Sequence, residues 1–281
     1  MKLIYILILF LIFFNIWIFN LYNDVKYSNI KFINFPKYIN FPKYIKRKYN
    51  THTSYNNVPL VIYQTWHIHT IPINMANSIS KLVNSNPEFD YYLYSEDQCE
   101  LFIKNNFDID VVNAFNTLIP GAYKADLWRY CILYIKGGVY LDIKFYSNVK
   151  IISLIKNNPI LFVKDIPKHC EYGIYNAFMI SPPNNIIFKY CIDDIVNSCK
   201  FKLYKNNSLD ITGPCLLGRM FSKYFPDKYD EYTKNFNWNG NNIVDGDTIL
   251  FTPYPEYRND QKNTQKNKHY SELWNEKNVF T

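Results

Sequence analysis

The sequence predicts an α/β domain carried behind a single membrane-spanning helix. Three observations predict it. Residues 3–23 hold no charged side chain, and from about residue 58 onward apolar runs of strand length alternate with runs of helix length. Finally, Gly137 and Gly138 end the most apolar of the helical runs just before a short apolar strand. Alternation of this kind implies a sheet with helices packed against it.

The uncharged stretch from Leu3 to Asn23, LIYILILFLIFFNIWIFNLYN, is long enough as a helix to cross about 30 Å of hydrocarbon. A cleaved signal peptide would have a shorter apolar core and small residues at its end, whereas this stretch contains no Ala, Gly or Ser. We therefore read residues 1–23 as an anchor, 24–57 as a stem and 58–281 as the functional domain. The stem repeats INFPKY, from Ile33 to Tyr38 and again from Ile39 to Tyr44. Pro36 and Pro42 oppose a continuous helix there and favour an extended spacer.

The chain has 281 residues, with 31 Lys and Arg against 24 Asp and Glu, a formal net charge of +7. That whole excess lies in the first 50 residues, where eight basic side chains face only Asp24. The remainder is balanced and unsuited to general nucleic-acid binding, which needs a basic surface to neutralise phosphates. The basic stem suits either an anionic lipid surface or an inert tether. Counted by its lysines alone, the span would leave the domain in the cytoplasm. A single glycosylation sequon, Asn206 to Ser208, favours the lumenal side instead. Six cysteines form no CxxC pair, so zinc ribbons and thioredoxin motifs are absent.

Within the domain, Leu60 to Tyr63 reads as a buried first strand and Phe89 to Tyr94 as a second. Ser95 followed by Gln98 forms a capping-box pattern that opens a helix through about Lys104. Ala122 to Lys136 is helix-length and apolar on more than one side, so it should be buried. The glycine pair stops it, and Val139 to Leu141 then reads as a buried strand with Asp142 at its carboxyl end. Ligands of α/β sheets gather there.

Asp126 and Arg129, three apart, share one face of an otherwise apolar helix. They form either an ion pair that ties the helix to its neighbours, or a carboxylate that accepts hydrogen bonds from ligand hydroxyls while Arg129 orients it. Asp142 and Lys144 are two apart and, on a strand, would share a face at about 7 Å. The carboxylate could hold a divalent cation against a diphosphate, the ammonium could neutralise phosphate directly, or the two could form a strand-end salt bridge. Two literal Asp-x-Asp triplets, Asp108 to Asp110 and Asp245 to Asp247, follow no buried strand and read as helix-cap or turn carboxylates. His67 and His69 lack a nearby third ligand. The absence of GxxxxGK[ST], GxGxxG and HExxH excludes the common nucleotide hydrolases, Rossmann dehydrogenases and zinc proteases.

Taken in order, Gly121 to Tyr130 (GAYKADLWRY) and Gly137 to Asp142 (GGVYLD) resemble the signature of glycosyltransferase family 32, the DXD-containing, Och1-like sugar transferases. Pro59 to Trp66 (PLVIYQTW), Asn86 to Glu96 (NPEFDYYLYSE), Asn176 to Pro182 (NAFMISP) and Thr212 to Pro214 are similar to further segments of that family, so the resemblance covers about residues 58–220. It implies a GT-A fold, Rossmann-like and nucleotide-sugar-binding. It also implies a UDP- or GDP-hexose donor and transfer, with retention, to a hydroxyl of a glycan, glycolipid or glycoprotein. A lumenal type II membrane protein is the implied arrangement.

By position, the resemblance assigns Asp126 and Arg129 to the donor sugar and ribose, Asp142 to the ribose or metal, and Gln64 or Trp66 to the base, with Tyr140 and Lys144 also donor-binding candidates. Asn176, Thr212 and Gly213 would approach the sugar and acceptor, with Asp142 and Asn176 the catalytic candidates. Two residues depart from the pattern. Lys144 replaces the second Asp of the triplet, and Tyr63 stands where the family commonly has His. A Mn or Mg ion would then be held by Asp142 with help from elsewhere, His269 being a candidate, or Lys144 would partly replace it. The alternative reading is a non-catalytic sugar- or nucleotide-binding protein on the same fold.

Overall fold

The computed structural model describes residues 37–48, 53–264 and 267–281. The anticipated membrane span and the first part of the stem lie outside the described residues. No helix among the described residues is long and apolar enough to cross a membrane.

The elements that position the site follow in chain order. They begin with β1 (Tyr44–Ile45), β2 (Val61–Thr65), α1 (Ile73–Ser85), β3 (Asp90–Tyr94), α2 (Glu96–Asn106), α3 (Ile109–Thr117), α4 (Gly121–Lys136) and β4 (Gly138–Leu141). After these come β5 (Phe145–Ser147), β6 (Phe178–Ser181), α5 (Ile186–Lys200), α6 (Pro214–Tyr224), β7 (Phe236–Trp238), β8 (Ile243–Asp245), β9 (Thr248–Pro253), α7 (Tyr257–Thr264) and α8 (Tyr270–Asn275). The central sheet has the strand order β6-β4-β2-β3-β1. Its middle strand β2 runs parallel to both neighbours, and the two edge strands are antiparallel. A second, antiparallel sheet, β7-β8-β9-β5, is reached by the chain directly after β4.

The period of two in each strand sends alternate side chains to two separate cores. Ile62, Val139 and Leu141 join the core that also contains Met75, Ile79 and Leu82 of α1. Tyr63 and Tyr140 join the other, with Leu127, Trp128 and Cys131 of α4 and Ile192 of α5. Helix α4 is buried on several sides, as its all-round apolar sequence requires. It ends at Gly137, whose φ of 63° suits glycine; a Cβ there would also approach Pro183 N to 2.5 Å. Ser95 and Gln98 form the capping box at the start of α2, with each side chain bonding the other's backbone.

Two local expectations are corrected. Part of the segment read as stem belongs to the fold: Tyr38 to Asn40 pairs with Thr70 to Pro72, and β1 pairs with β3. Arg47 then clamps Asp90 with its guanidinium. The second correction concerns Asp142 to Lys144, which lie in a turn rather than on a strand. The turn is closed by Phe145 N donating to Asp142 O at 3.0 Å.

Candidate active site

Strand β4 delivers Asp142 to the carboxyl edge of the sheet, beside the start of α4. Asp142 Oδ1 accepts from Tyr140 Oη at 2.9 Å and lies 3.3 Å from Arg129 Nη2, while Oδ2 lies 3.4 Å from Lys144 Nζ. The same Arg129 Nη2 stands 3.2 Å from Asp126 Oδ1. One guanidinium therefore bridges the two carboxylates, so the helix pair and the strand-end aspartate form a single cluster. Arg129 is fixed on its remaining sides, donating to Asn176 O at 2.9 Å and Ala125 O at 3.3 Å and lying over the Tyr140 ring at 4.4 Å. A buried cation held this way is pre-organised, because no side-chain freedom remains to be lost on ligand binding.

Behind Arg129 the carboxylate of Asp126 is saturated. Asn176 Nδ2 donates to Oδ1 at 3.0 Å and Thr212 Oγ1 to Oδ2 at 2.7 Å. Burial pushes the Asp126 carboxyl up to about 6, opposed by the Arg129 charge and by the Thr212 and Asn176 donors. It is thus ionised at neutral pH. Arg129 itself is held well above its ordinary range: burial opposes its charge, but Tyr140, Asp126 and Asp142 outweigh that. Lys144 is likewise raised despite burial, by Tyr175 and Asp142.

In front of the cluster opens a cavity of about 500 Å³. Its lining includes Arg129, Tyr140 and Asp142 of the cluster, together with Trp66, Lys124, Tyr257, His269 and Tyr270. That volume lies within the range of small-molecule and cofactor sites. Trp66 is half-buried, and its Nε1 is among the buried donors that have no partner among the described residues. Lys124 Nζ is bonded to Glu96 Oε1 at 2.6 Å.

The structure separates the residues named from sequence into three groups. Asp142, Arg129, Tyr140, Trp66 and His269 share the cavity, and Lys144, which does not line it, meets it through Asp142 Oδ2. Asp126, Asn176, Thr212 and Gly213 stand behind it and act on it through Arg129. Asn176 and Thr212 are 4% and 0% exposed, so the placement of Asn176 as a catalytic candidate and of Thr212 and Gly213 as donor contacts is corrected to support of Asp126. Gln64 is also corrected. It is 0% exposed, with Oε1 accepting from Tyr91 Oη at 2.9 Å and Nε2 donating to Asp142 O at 3.2 Å. Its role is to pin the backbone of Asp142, not to reach a base.

The metal site anticipated at Asp142 and His269 does not fit the residues present. Among the described residues no group of three His, Cys, Asp or Glu could hold a metal ion. Both Asp142 oxygens already face cations, and His269 caps α8 with its Nδ1 at 2.7 Å from Ser271 Oγ. The literal triplets take structural positions: Asp108 Oδ1 caps α3 at Val111 N, and Asp245 to Asp247 form the β8–β9 turn. Sequence spacing missed the wall made by Tyr257, Gln261, Asn267, Lys268 and Tyr270. It also missed the Cys170–Cys215 disulfide, which ties the loop before Asn176 to the residue after Pro214.

Residues 72–161 match the family described as the glycosyltransferase sugar-binding region containing a DXD motif. An uncharacterized glycosyltransferase of Acanthamoeba polyphaga mimivirus is 26% identical over 190 residues, covering 67% of this chain and 71% of that protein. An inositol phosphoceramide mannosyltransferase of Schizosaccharomyces pombe is 24% identical over 168 residues, covering 59% of this chain; the match spans only 47% of that protein. The solved structure of the PaToxG glycosyltransferase superposes with a TM-score of 0.45 at 15% identity, over 62% of this chain and 72% of that one. The matched region contains Asp126, Arg129 and Asp142, and together with these relatives it identifies the chain as a glycosyltransferase.

Proposed function

We propose that the protein transfers a hexose from a nucleoside diphosphate sugar to a hydroxyl of a glycan, glycolipid or glycoprotein, with retention at the anomeric carbon and on a GT-A fold. The observation that carries this reading is the single guanidinium of Arg129 joining Asp126 and Asp142 at the back of the cavity. A relative named as an inositol phosphoceramide mannosyltransferase makes mannose the first sugar to test and a glycolipid the first acceptor. The aromatic wall of Trp66, Tyr257 and Tyr270 suits a base and a sugar ring.

In the reaction, the bond from the anomeric carbon to the phosphate oxygen breaks and its electron pair leaves with the diphosphate. The acceptor oxygen bonds the same carbon from the same face, and its proton passes to the departing phosphate oxygen. Fixed cations at the leaving group lower this barrier, because negative charge develops there in a site poor in water. Asp142 orients sugar or ribose hydroxyls as a hydrogen-bond acceptor, and Asp126, Asn176 and Thr212 hold Arg129 in place. Of the three acids that line the cavity, Glu96 is paired with Lys124 and Asp142 with Arg129 and Lys144, while Asp97 is exposed.

We further propose a membrane-anchored protein with its domain in the lumen. Support comes from the uncharged stretch Leu3 to Asn23, from the exposed sequon at Asn206, and from the Cys170–Cys215 disulfide, which persists in oxidising compartments. The decisive experiment uses the full chain in detergent with a panel of UDP- and GDP-hexoses, following diphosphate release. Release with one donor, lost in Asp142→Ala, supports transfer. Binding without release for every donor and acceptor tried would leave a sugar- or nucleotide-binding protein instead.

A further inference from the structure

We infer that the donor diphosphate is neutralised here by Lys144 together with Arg129, and that its binding needs no divalent cation; this rests on the donor reading above. The family is described by a DXD motif, and in this chain the turn after β4 reads Asp142, Ile143, Lys144. With a carboxylate at position 144, the cluster would hold three acids, Asp126, Asp142 and residue 144, against Arg129 alone. That leaves an excess of two negative charges, which a divalent ion cancels. With Lys144 the same four positions hold two acids and two bases, and the cluster is already neutral. The replacement therefore brings in the two positive charges that an ion would have supplied.

Geometry supports the same conclusion. Lys144 Nζ lies 3.4 Å from Asp142 Oδ2, on the opposite oxygen from Arg129. Its Nζ lies over the rings of Phe145 and Tyr175, at 5.0 and 5.3 Å from their centroids, and its side chain is 18% exposed. Tyr175 in turn is stacked flat on Trp238 at 4.4 Å, so the ammonium has a rigid seat. An ion bound to Asp142 would sit beside two cations, Arg129 at 3.3 Å from one of its oxygens and Lys144 at 3.4 Å from the other. Among the described residues no group of three His, Cys, Asp or Glu is placed to replace that lost stabilisation.

The test measures UDP and GDP binding to the full chain in detergent by calorimetry, with EDTA or with added Mn²⁺. The inference expects the preferred nucleotide to bind equally, within about twofold, in both conditions, and Lys144→Met to weaken it about tenfold or more in EDTA. It expects Lys144→Asp to lose binding in EDTA and regain it with Mn²⁺. Unchanged thermal unfolding of Lys144→Met, or failing that the wild-type comparison alone, separates the effect from misfolding. Wild-type binding that appears only with Mn²⁺ overturns the inference and leaves the donor site standing. EDTA-insensitive binding that Lys144→Met does not weaken overturns the role of Lys144. No binding of either nucleotide in any condition overturns the donor reading and this inference together.

Discussion

Arg129 of α4 and Asp142 at the end of β4 meet at 3.3 Å, although the helix that carries one runs its full length before the strand that carries the other begins. The contact exists because α4 turns back at Gly137 and β4 then retraces it along the sheet. The charged cluster is thus a product of one helix-to-strand reversal.

Arg129→Lys keeps the charge and loses the planar fork that spans two carboxylates. We expect UDP or GDP binding to weaken about 10- to 100-fold and stability to fall by roughly 3 kcal/mol, since two buried acids lose a shared partner. Calorimetry and chemical unfolding check the two effects separately. Wild-type affinity in this variant would remove Arg129 from the donor site.

Asp126 gives a pH signature. Its carboxyl rises from 3.8 to about 6 in the folded protein, chiefly by burial, so between those values the folded state holds more protons than the unfolded chain. Stability attributable to this group is therefore greatest below pH 4 and is lost as pH rises towards 6, by roughly 3 kcal/mol at most. Unfolding of wild type and Asp126→Asn compared across that window should show the slope in wild type only. Parallel curves would mean that the carboxyl is not raised.

If Trp66 stacks on the donor base, Trp66→Ala raises the donor KM about tenfold with little change in kcat, and Trp66→Phe recovers most of it. Steady-state kinetics with the active donor decide this. An equal fall in kcat would assign the ring to the reacting sugar instead.

Cys170 and Cys215 close a loop 45 residues apart in sequence. Replacing both by serine should destabilise the protein by about 2–4 kcal/mol, read by chemical unfolding. Dithiothreitol should shift wild type towards the variant. No shift, with free thiols found at both positions by alkylation, would argue against an oxidising compartment.

A lumenal domain predicts glycan attachment at Asn206, visible as an endoglycosidase-sensitive mass shift lost in Asn206→Gln, and protection from protease in sealed membranes. Digestion of the domain in intact vesicles would place it on the cytoplasmic side.

Much of the site was legible because it depends on local pattern. The all-round apolar α4, the stop at Gly137 and the capping box at Ser95 are written in short windows, and they set Asp126, Arg129 and Asp142 in their elements. Other features depend on contacts between distant residues. Gln64 shares strand parity with Ile62, so its amide points to the α1 side and meets Tyr91, away from Arg129. Nothing local announces the turn that Phe145 N closes on Asp142 O, so spacing alone puts Lys144 on a strand. The pairing of Cys170 with Cys215, and the packing of residues 257–270 against the cavity, follow from tertiary folding alone.

That far wall has a consequence for how specificity is inherited. Tyr257, Gln261 and Tyr270 lie well beyond residues 72–161, the stretch that defines kinship. The cavity is therefore lined by two separate stretches of chain, free to diverge at different rates. Swapping residues 254–272 between this protein and a relative should alter substrate preference while leaving Arg129, Asp126 and Asp142 in place.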